Sequence, residues 1–532
     1  MAKLRTAVAL AFLVNCVGTI GGDGAEEVPV DPSVVPQGGV RRLSATEMAS
    51  TLKDLLEDDG LPVFETLPVD PRTPFDNDYR EQVASQGLID AADFLAQRAI
   101  ERLLADTPRR DRVVGCVPER ADDETCLRSF ISRFGRRALR RPLAGEEIDE
   151  YTSRALAFAV EANDFYTGVD TVLWELLQDP EFLYRPEIGA AVQPGIRRLS
   201  DFEIAARLAY FLWGSTPDDA LLDRAASGLL NTPEQRREAA LVMLEDERAK
   251  RRIARFHAMW LGYEILPHAG QLGDDMRAET SALIDRVIFE DQRAWQDLFR
   301  LEETFVSDFL ADHYGLPPPQ DPAGDWVSYG DSGRAGILSH GSFLSIGAKF
   351  NDTSPVRRGL VVRERLLCQE IADPPPNVDV DKPVVVENAV CKPERFAAHS
   401  QGGCANCHRL MDPIGFGLES YDQFGVFREF EPDNPDTVED ESQCAIDGQG
   451  KVDDVEFNGP AALGALAVDS GMASECVTKQ LYRFVFGRSE LDLTDERVVR
   501  LVNQELGDGD FAFIDLALEI VAHPSFAYRT EE

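Results

Sequence analysis

Arg197-Arg-Leu-Ser-Asp-Phe-Glu-Ile-Ala-Ala-Arg-Leu208 is a helix start that the chain carries twice. The earlier copy opens as Arg41-Arg-Leu-Ser44, and in both a glutamate follows the serine by three residues, Glu47 and Glu203. In Ser-x-x-Glu the serine oxygen accepts a backbone N–H of the first turn, and the glutamate accepts the serine's own N–H. Donors that a helix start leaves open are thereby satisfied. Apolar residues then fall at matching offsets: Met48, Leu52, Leu55 and Leu56 against Ile204, Leu208, Phe211 and Leu212. That spacing is one face of an amphipathic helix. Gly60 and Gly214 are the expected stops. Two modules therefore open in the same way, and the repeat itself holds no chemistry.

The same period recurs outward from these two starts. Asp90 to Leu104, Asp123 to Phe134, Glu146 to Val160 and Arg236 to Leu261 each pair an apolar stripe with a charged opposite face. Val477, Leu481, Phe484 and Val485 mark a helix near the C-terminus. Sustained alternation is rare, so the expected class is mainly α, several consecutive helical modules of which one contains the Cys-x-x-Cys-His motif of residues 404–408. Proline and glycine punctuate the chain at Pro68 to Asp78, Gly315 to Trp326 and Asp373 to Lys392, the last with Pro374-Pro-Pro376. The expected division is 1–39 (signal peptide, lipobox and tether), 40–110 (capped-helix domain), 111–190 (helical domain with Cys116 and Cys126) and 195–315 (central helical domain). It continues with 330–430 (domain of the Cys-x-x-Cys-His motif), 431–456 (acidic linker) and 457–532 (C-terminal helical domain).

Against 54 Lys+Arg stand 94 Asp+Glu, a formal net charge of −40. Such a surface repels phosphate backbones, so no nucleic-acid partner is expected. At the N-terminus, Lys3 and Arg5 precede the short apolar run Ala7-Val-Ala-Leu-Ala-Phe-Leu-Val14, the pattern of an export signal. Leu13-Val-Asn-Cys16 is similar to a bacterial lipobox, with Asn15 where a small residue is usual. The expectation is an exported protein, periplasmic or at the outer membrane or cell surface, tethered by lipid on Cys16. With Cys16 and the pair described next set aside, six cysteines remain: Cys116, Cys126, Cys368, Cys391, Cys444 and Cys476. An oxidising compartment favours disulfides. Cys116 and Cys126 pair most naturally with each other, and the other four leave three connectivities open.

Cys404-Ala-Asn-Cys407-His408 has the spacing of c-type haem attachment. Two thiols so placed reach the two vinyl groups of one porphyrin edge, and the adjacent imidazole meets the iron from the proximal face. With 9 Cys and 7 His in 532 residues, chance supplies roughly 0.002 such motifs. One covalent haem c is therefore expected on Cys404, Cys407 and His408. A redox dithiol, half of a zinc site and a plain disulfide are the alternatives. For the distal ligand the first candidate is His399, which precedes the motif and could fold over the other face. Met411, Met472, His340 and His523 follow, and an open sixth position is the remaining possibility. Asp412-Pro413 reads as the end of a turn. Phe416, Tyr421, Phe424 and Phe427 could wall the haem, and Arg357, Arg358 and Arg428 could pair with its propionates. Asp447-Gly-Gln-Gly450 with Asp453 and Asp454 lacks the spacing of a calcium loop and reads as a solvated turn.

Six stretches carry a family resemblance: Arg41 to Glu47, Phe134-Gly-Arg-Arg-Ala-Leu-Arg-Arg-Pro-Leu143, Arg198 to Leu208, Thr353-Ser-Pro-Val-Arg-Arg-Gly359, Cys404 to Phe416, and Leu481-Tyr-Arg-Phe-Val-Phe-Gly-Arg488. In this order the chain resembles the exported cytochrome-c-like multidomain proteins of planctomycetes and myxobacteria. These are built from domain-of-unknown-function families 1587, 1595, 1592, 1588 and 1585 in tandem. The resemblance implies export and a haem, and names no reaction. The expected function is extracytoplasmic electron transfer with a redox partner protein. A haem-dependent, peroxidase-like oxidoreductase is the alternative, and a haem-free surface scaffold lipoprotein with structural disulfides is a third. Whether the chain is an enzyme is left open.

Overall fold

Both serines cap as their spacing requires. In the computed structural model, which describes residues 30–347, 352–372, 389–431, 444–507 and 509–530, Ser44 Oγ accepts the Glu47 N–H at 3.3 Å while Glu47 accepts the Ser44 N–H at 3.2 Å. Ser200 and Glu203 repeat the exchange at 3.3 and 2.7 Å. The helices that follow are Ala45–Leu56 and Asp201–Leu212. Gly214 stops the second, with a φ of +65°. The first stops before Gly60: Glu57 takes the left-handed turn at φ 53°, with its carboxylate on Arg112 at 2.7 Å. The expected signal, Cys16, Pro374-Pro-Pro376 and residues 432–443 of the acidic stretch lie outside the described residues.

Helices take 57% of the residues and strands 7%, so the class is mainly α. The periodic stretches become the helices Gln86–Ala105, Glu124–Ala138, Gly145–Ala162 and Met472–Phe486. The long stretch expected from Arg236 to Leu261 is instead two helices, Pro233–Leu244 and Glu247–Leu261. Asp246 breaks it by accepting the Arg248 N–H at 2.8 Å, a cap inside an unbroken apolar period. No helix among the described residues is long and apolar enough to cross a membrane.

Two apolar clusters hold the chain together. One gathers Leu43 through Phe182 around Phe130, Ile131 and Leu173; the other runs from Leu199 to Ala527 and takes in Val34 and Phe75. They are joined where Tyr210 of the second repeat packs into the first cluster and its hydroxyl lies 3.1 Å from Thr51 Oγ1. The capping Glu47, fully buried, also accepts Arg252 of the larger cluster at 3.0 Å. The same residue therefore starts a helix and bridges two cores. A three-stranded sheet, Ala190–Gln193, Ile196–Arg198 and Tyr528–Thr530, brings the far end of the chain beside the second repeat.

Close backbone contact sets the segment that carries the motif. The helices Pro355–Val361 and Ala405–Phe416 cross at two glycines. A Cβ on Gly359 would lie 1.9 Å from the Met411 carbonyl oxygen, and one on Gly415 would lie 1.8 Å from that of Pro355. A hairpin, Gln449–Val452 with Val455–Asn458, covers the same helix, its Phe457 ring against Gly417. Three disulfides are present: Cys116–Cys126, Cys368–Cys476 and Cys391–Cys444. The last ties the segment before the motif to the chain that enters the hairpin.

Candidate functional site

The motif opens a helix. Gly402, at φ +56°, turns the chain into Cys404, and the N–H groups of Cys407 and His408 both reach back to the Cys404 carbonyl, at 3.3 and 3.1 Å. Helical spacing puts Cys404 and His408 one turn apart on one face, with Cys407 alongside. Cys404 is exposed and Cys407 half-buried, and both are free thiols while the other six described cysteines pair. Among the described cysteines, only the two of the motif are thus left unpaired.

Asp412, one further turn along, was legible only as part of a turn. It does not end one: the helix continues through Pro413 to Phe416. Proline there withholds only its own bond to the Arg409 carbonyl, and the glycine crossing holds the helix on both sides. Asp412 is 7% exposed and accepts two imidazoles. His408 Nδ1 lies 3.0 and 3.2 Å from its two oxygens, and His399 Nδ1 lies 2.9 Å from one of them. A carboxylate that accepts at Nδ1 leaves Nε2 of each ring as the lone-pair nitrogen. The three donor groups lie within 4.8 Å of one another, so the same cluster could also grip a metal ion.

The rings of His399 and His408 are 3.8 Å apart between centroids, tilted by 36°. In this arrangement a porphyrin plane does not pass between them, so His399 stands as a stacked neighbour of His408 rather than across a haem from it. Met411 is buried, with its backbone against Gly359. Met472 meets Gln369, His340 bonds Thr280 at 3.0 Å, and His523 bonds Ser525 at 2.8 Å. His340, His523 and Met472 thus have partners of their own away from the motif.

Beside the cluster lies a cavity of about 830 Å³, within the range of cofactor pockets. His399, His408, Asp412, Phe396 and Phe416 line it, with Arg409 and Lys451 as its cations. The Phe396 ring meets His399 edge-on at 5.0 Å and Phe416 at 5.8 Å. Of the four aromatic residues expected to form a wall, only Phe416 is here. Tyr421 packs on Phe427, and Phe424 on His268. Phe396 was missed because nothing local marks it, whereas the His408–Asp412 spacing of four was a signal that could have been used.

The expected propionate partners serve the frame instead. Arg358 donates to the carbonyls of Leu344, Leu418, Tyr421 and Asp422 and pairs with Glu419 at 3.2 Å. Arg428 and Lys392 reach the same carboxylate at 3.1 and 2.8 Å. Burial opposes charge on Glu419, yet Lys392, Arg358 and Arg428 together hold it below the usual glutamate range. This buried cluster locks the segment between the crossing helices and the chain before the motif. Arg357 sits on the Pro355–Val361 helix.

His408, with its Nδ1 engaged, lines this cavity together with Arg409 and Lys451, a donor and cation set that a planar, iron-bearing ring with carboxylates would use, while the two free thiols lie outside the cavity lining. Fold and site define a mainly α, tandem-domain protein built around a Cys-x-x-Cys-His helix. Three family models match the chain in succession: PSD5, a protein of unknown function (DUF1595), over residues 126–187; PSD4, a protein of unknown function (DUF1592), over 199–316; and PSCyt3, a protein of unknown function (DUF1588), over 334–431. The chain therefore carries in tandem three of the cytochrome-c-like multidomain families that its sequence resembles. The motif, its histidines and Asp412 all fall within the PSCyt3 match. No curated protein and no solved structure matches the chain.

Proposed function

We propose that this is an extracytoplasmic c-type haem protein that transfers electrons, with Cys404 and Cys407 as the covalent anchors and His408 as the proximal ligand. The observation that carries this reading is the state of the cysteines. Six of the eight described pair, and the two left free are those of the motif, one helical turn from an imidazole whose Nδ1 is already engaged. A bound haem would supply the one-electron couple. The chain's residues supply attachment, the fixed imidazole and the walls of Phe396 and Phe416. Three disulfides suit an oxidising compartment, which supports export, and a lipid anchor on Cys16 belongs to the same proposal. The net charge of −40 favours a redox partner that presents a basic surface.

The test is expression with a c-type cytochrome maturation system, followed by haem staining and intact-mass measurement of the denatured chain. One covalent haem, lost in Cys404→Ala/Cys407→Ala, is the expected result; a folded, exported chain without added mass would overturn it.

A second reading, a haem-dependent oxidoreductase, is favoured by one observation: four of the five distal candidates named from the sequence, His399, His340, His523 and Met472, meet other partners. An exchangeable sixth position would admit a small oxidant. Cyanide titration separates the readings, since a saturating spectral change supports the enzyme and an inert six-coordinate spectrum supports the carrier.

A further inference from the structure

We propose that Asp412 is a positioning residue for the proximal ligand: it fixes the proton of His408 on Nδ1 and biases the iron toward its oxidised state. This rests on the haem reading above and deepens it.

Asp412 lies mid-helix, so it caps nothing. A buried carboxylate there is costly unless paired. Among the described residues its side chain meets only two imidazoles, His408 at 3.0 Å and His399 at 2.9 Å, with no lysine or arginine. Glu419, seven residues on, is the contrast, since three cations surround it. Glu419 is therefore an ion-pair strut, whereas the Asp412 oxygens meet the two rings.

An ionised carboxylate only accepts. Both Nδ1 atoms must then carry hydrogen, and His408 Nε2 is left as the sole ligating nitrogen. A ligating imidazole that donates its other N–H to a carboxylate is held in one orientation and becomes a stronger electron donor. More donation favours ferric over ferrous iron, so the potential falls. His399, stacked at 3.8 Å and braced edge-on by Phe396, meets the same carboxylate from its second side at 2.9 Å.

The decisive variant is Asp412→Asn, which keeps the shape and one acceptor but removes the charge. The expected result is unchanged covalent haem content, a midpoint potential raised by at least one tenfold step in the ferric-to-ferrous ratio, about 59 mV for one electron, and a weaker iron–histidine stretch by resonance Raman. His399→Gln, which leaves Asp412 on His408, should move the potential less. An Asp412→Asn protein that carries haem at the wild-type potential overturns the proposal.

Should that variant fail to fold, ¹⁵N spectra of the wild-type chain without haem decide. A proton on Nδ1 of His408 and a bare Nε2 are expected, and the opposite tautomer overturns the proposal. If the wild type takes no covalent haem, the haem reading fails by itself, and the tautomer still reports whether Asp412 sets the ring.

Discussion

His399 and His408 stack with ring centroids 3.8 Å apart, each with Nδ1 turned to the one carboxylate of Asp412. The pair makes His399 a brace on the proximal side. In the proposed haem reading it also separates two roles that share a residue type, His408 toward the iron and His399 on the carboxylate behind it.

His399→Ala should therefore leave covalent haem and its axial ligation in place. Absorption and EPR spectra of the variant check this. Loss of a low-spin ferric signal that the wild type shows would instead make His399 a ligand.

The glycine crossing admits no side chain. A Cβ at Gly359 or Gly415 would press on a backbone carbonyl at 1.9 or 1.8 Å, and backbone cannot rotate away as a side chain can. Gly359→Ala and Gly415→Ala should each lower stability by about 1–3 kcal/mol, read by urea unfolding. The motif helix would shift with them, so haem incorporation should fall as well. Two unchanged unfolding midpoints would contradict the crossing as described.

Glu419 is the shared anion for Lys392, Arg358 and Arg428. Glu419→Gln leaves buried cations without their partner, and a loss on the order of 3–5 kcal/mol follows. A thermal melt within a degree of the wild type would show that the cluster is dispensable.

Acid should weaken the fold. Burial pushes His257 and His523 down to about 4 and His340 to about 3 from 6.5, and raises Glu279 to about 7 from 4.5. As pH drops below 6.5 the unfolded imidazoles take protons that the folded ones refuse, so each histidine removes stability. Glu279 acts the other way: its contribution is present at low pH and lost as pH rises through 4.5 toward 7. Three groups against one give a net fall of about 3 kcal/mol per pH unit from 6.5 to 4.5. Glu279→Gln should steepen this to about 4. Denaturant melts across that range check the slope, and a flat profile would refute it.

Local chemistry was what the sequence exposed. Ser44–Glu47 and Ser200–Glu203 act within one turn, so their caps were readable, as were the apolar faces behind them. The break at Asp246 was hidden because an apolar period crosses it unchanged. Cys116 and Cys126 could be paired by proximity, whereas Cys368–Cys476 and Cys391–Cys444 span 108 and 53 residues and depend on the tertiary fold. At the site, Cys404, Cys407 and His408 came from spacing alone. Phe396 and Lys451 reach the cavity only because the segment before the motif and the later hairpin pack on one helix. Arg358 and Arg428 were drawn toward a haem on charge, and the fold uses them on Glu419.

The pyridine haemochrome spectrum of chain matured alongside a c-type cytochrome assembly system tests the central claim most directly. The account predicts a haem that survives acid–acetone extraction with the α-band of two thioether links, a shift of that band toward the one-link position in Cys404→Ala, and no signal in Cys404→Ala/Cys407→Ala. A folded wild-type chain that yields no haemochrome, or one whose haem extracts freely, would contradict it.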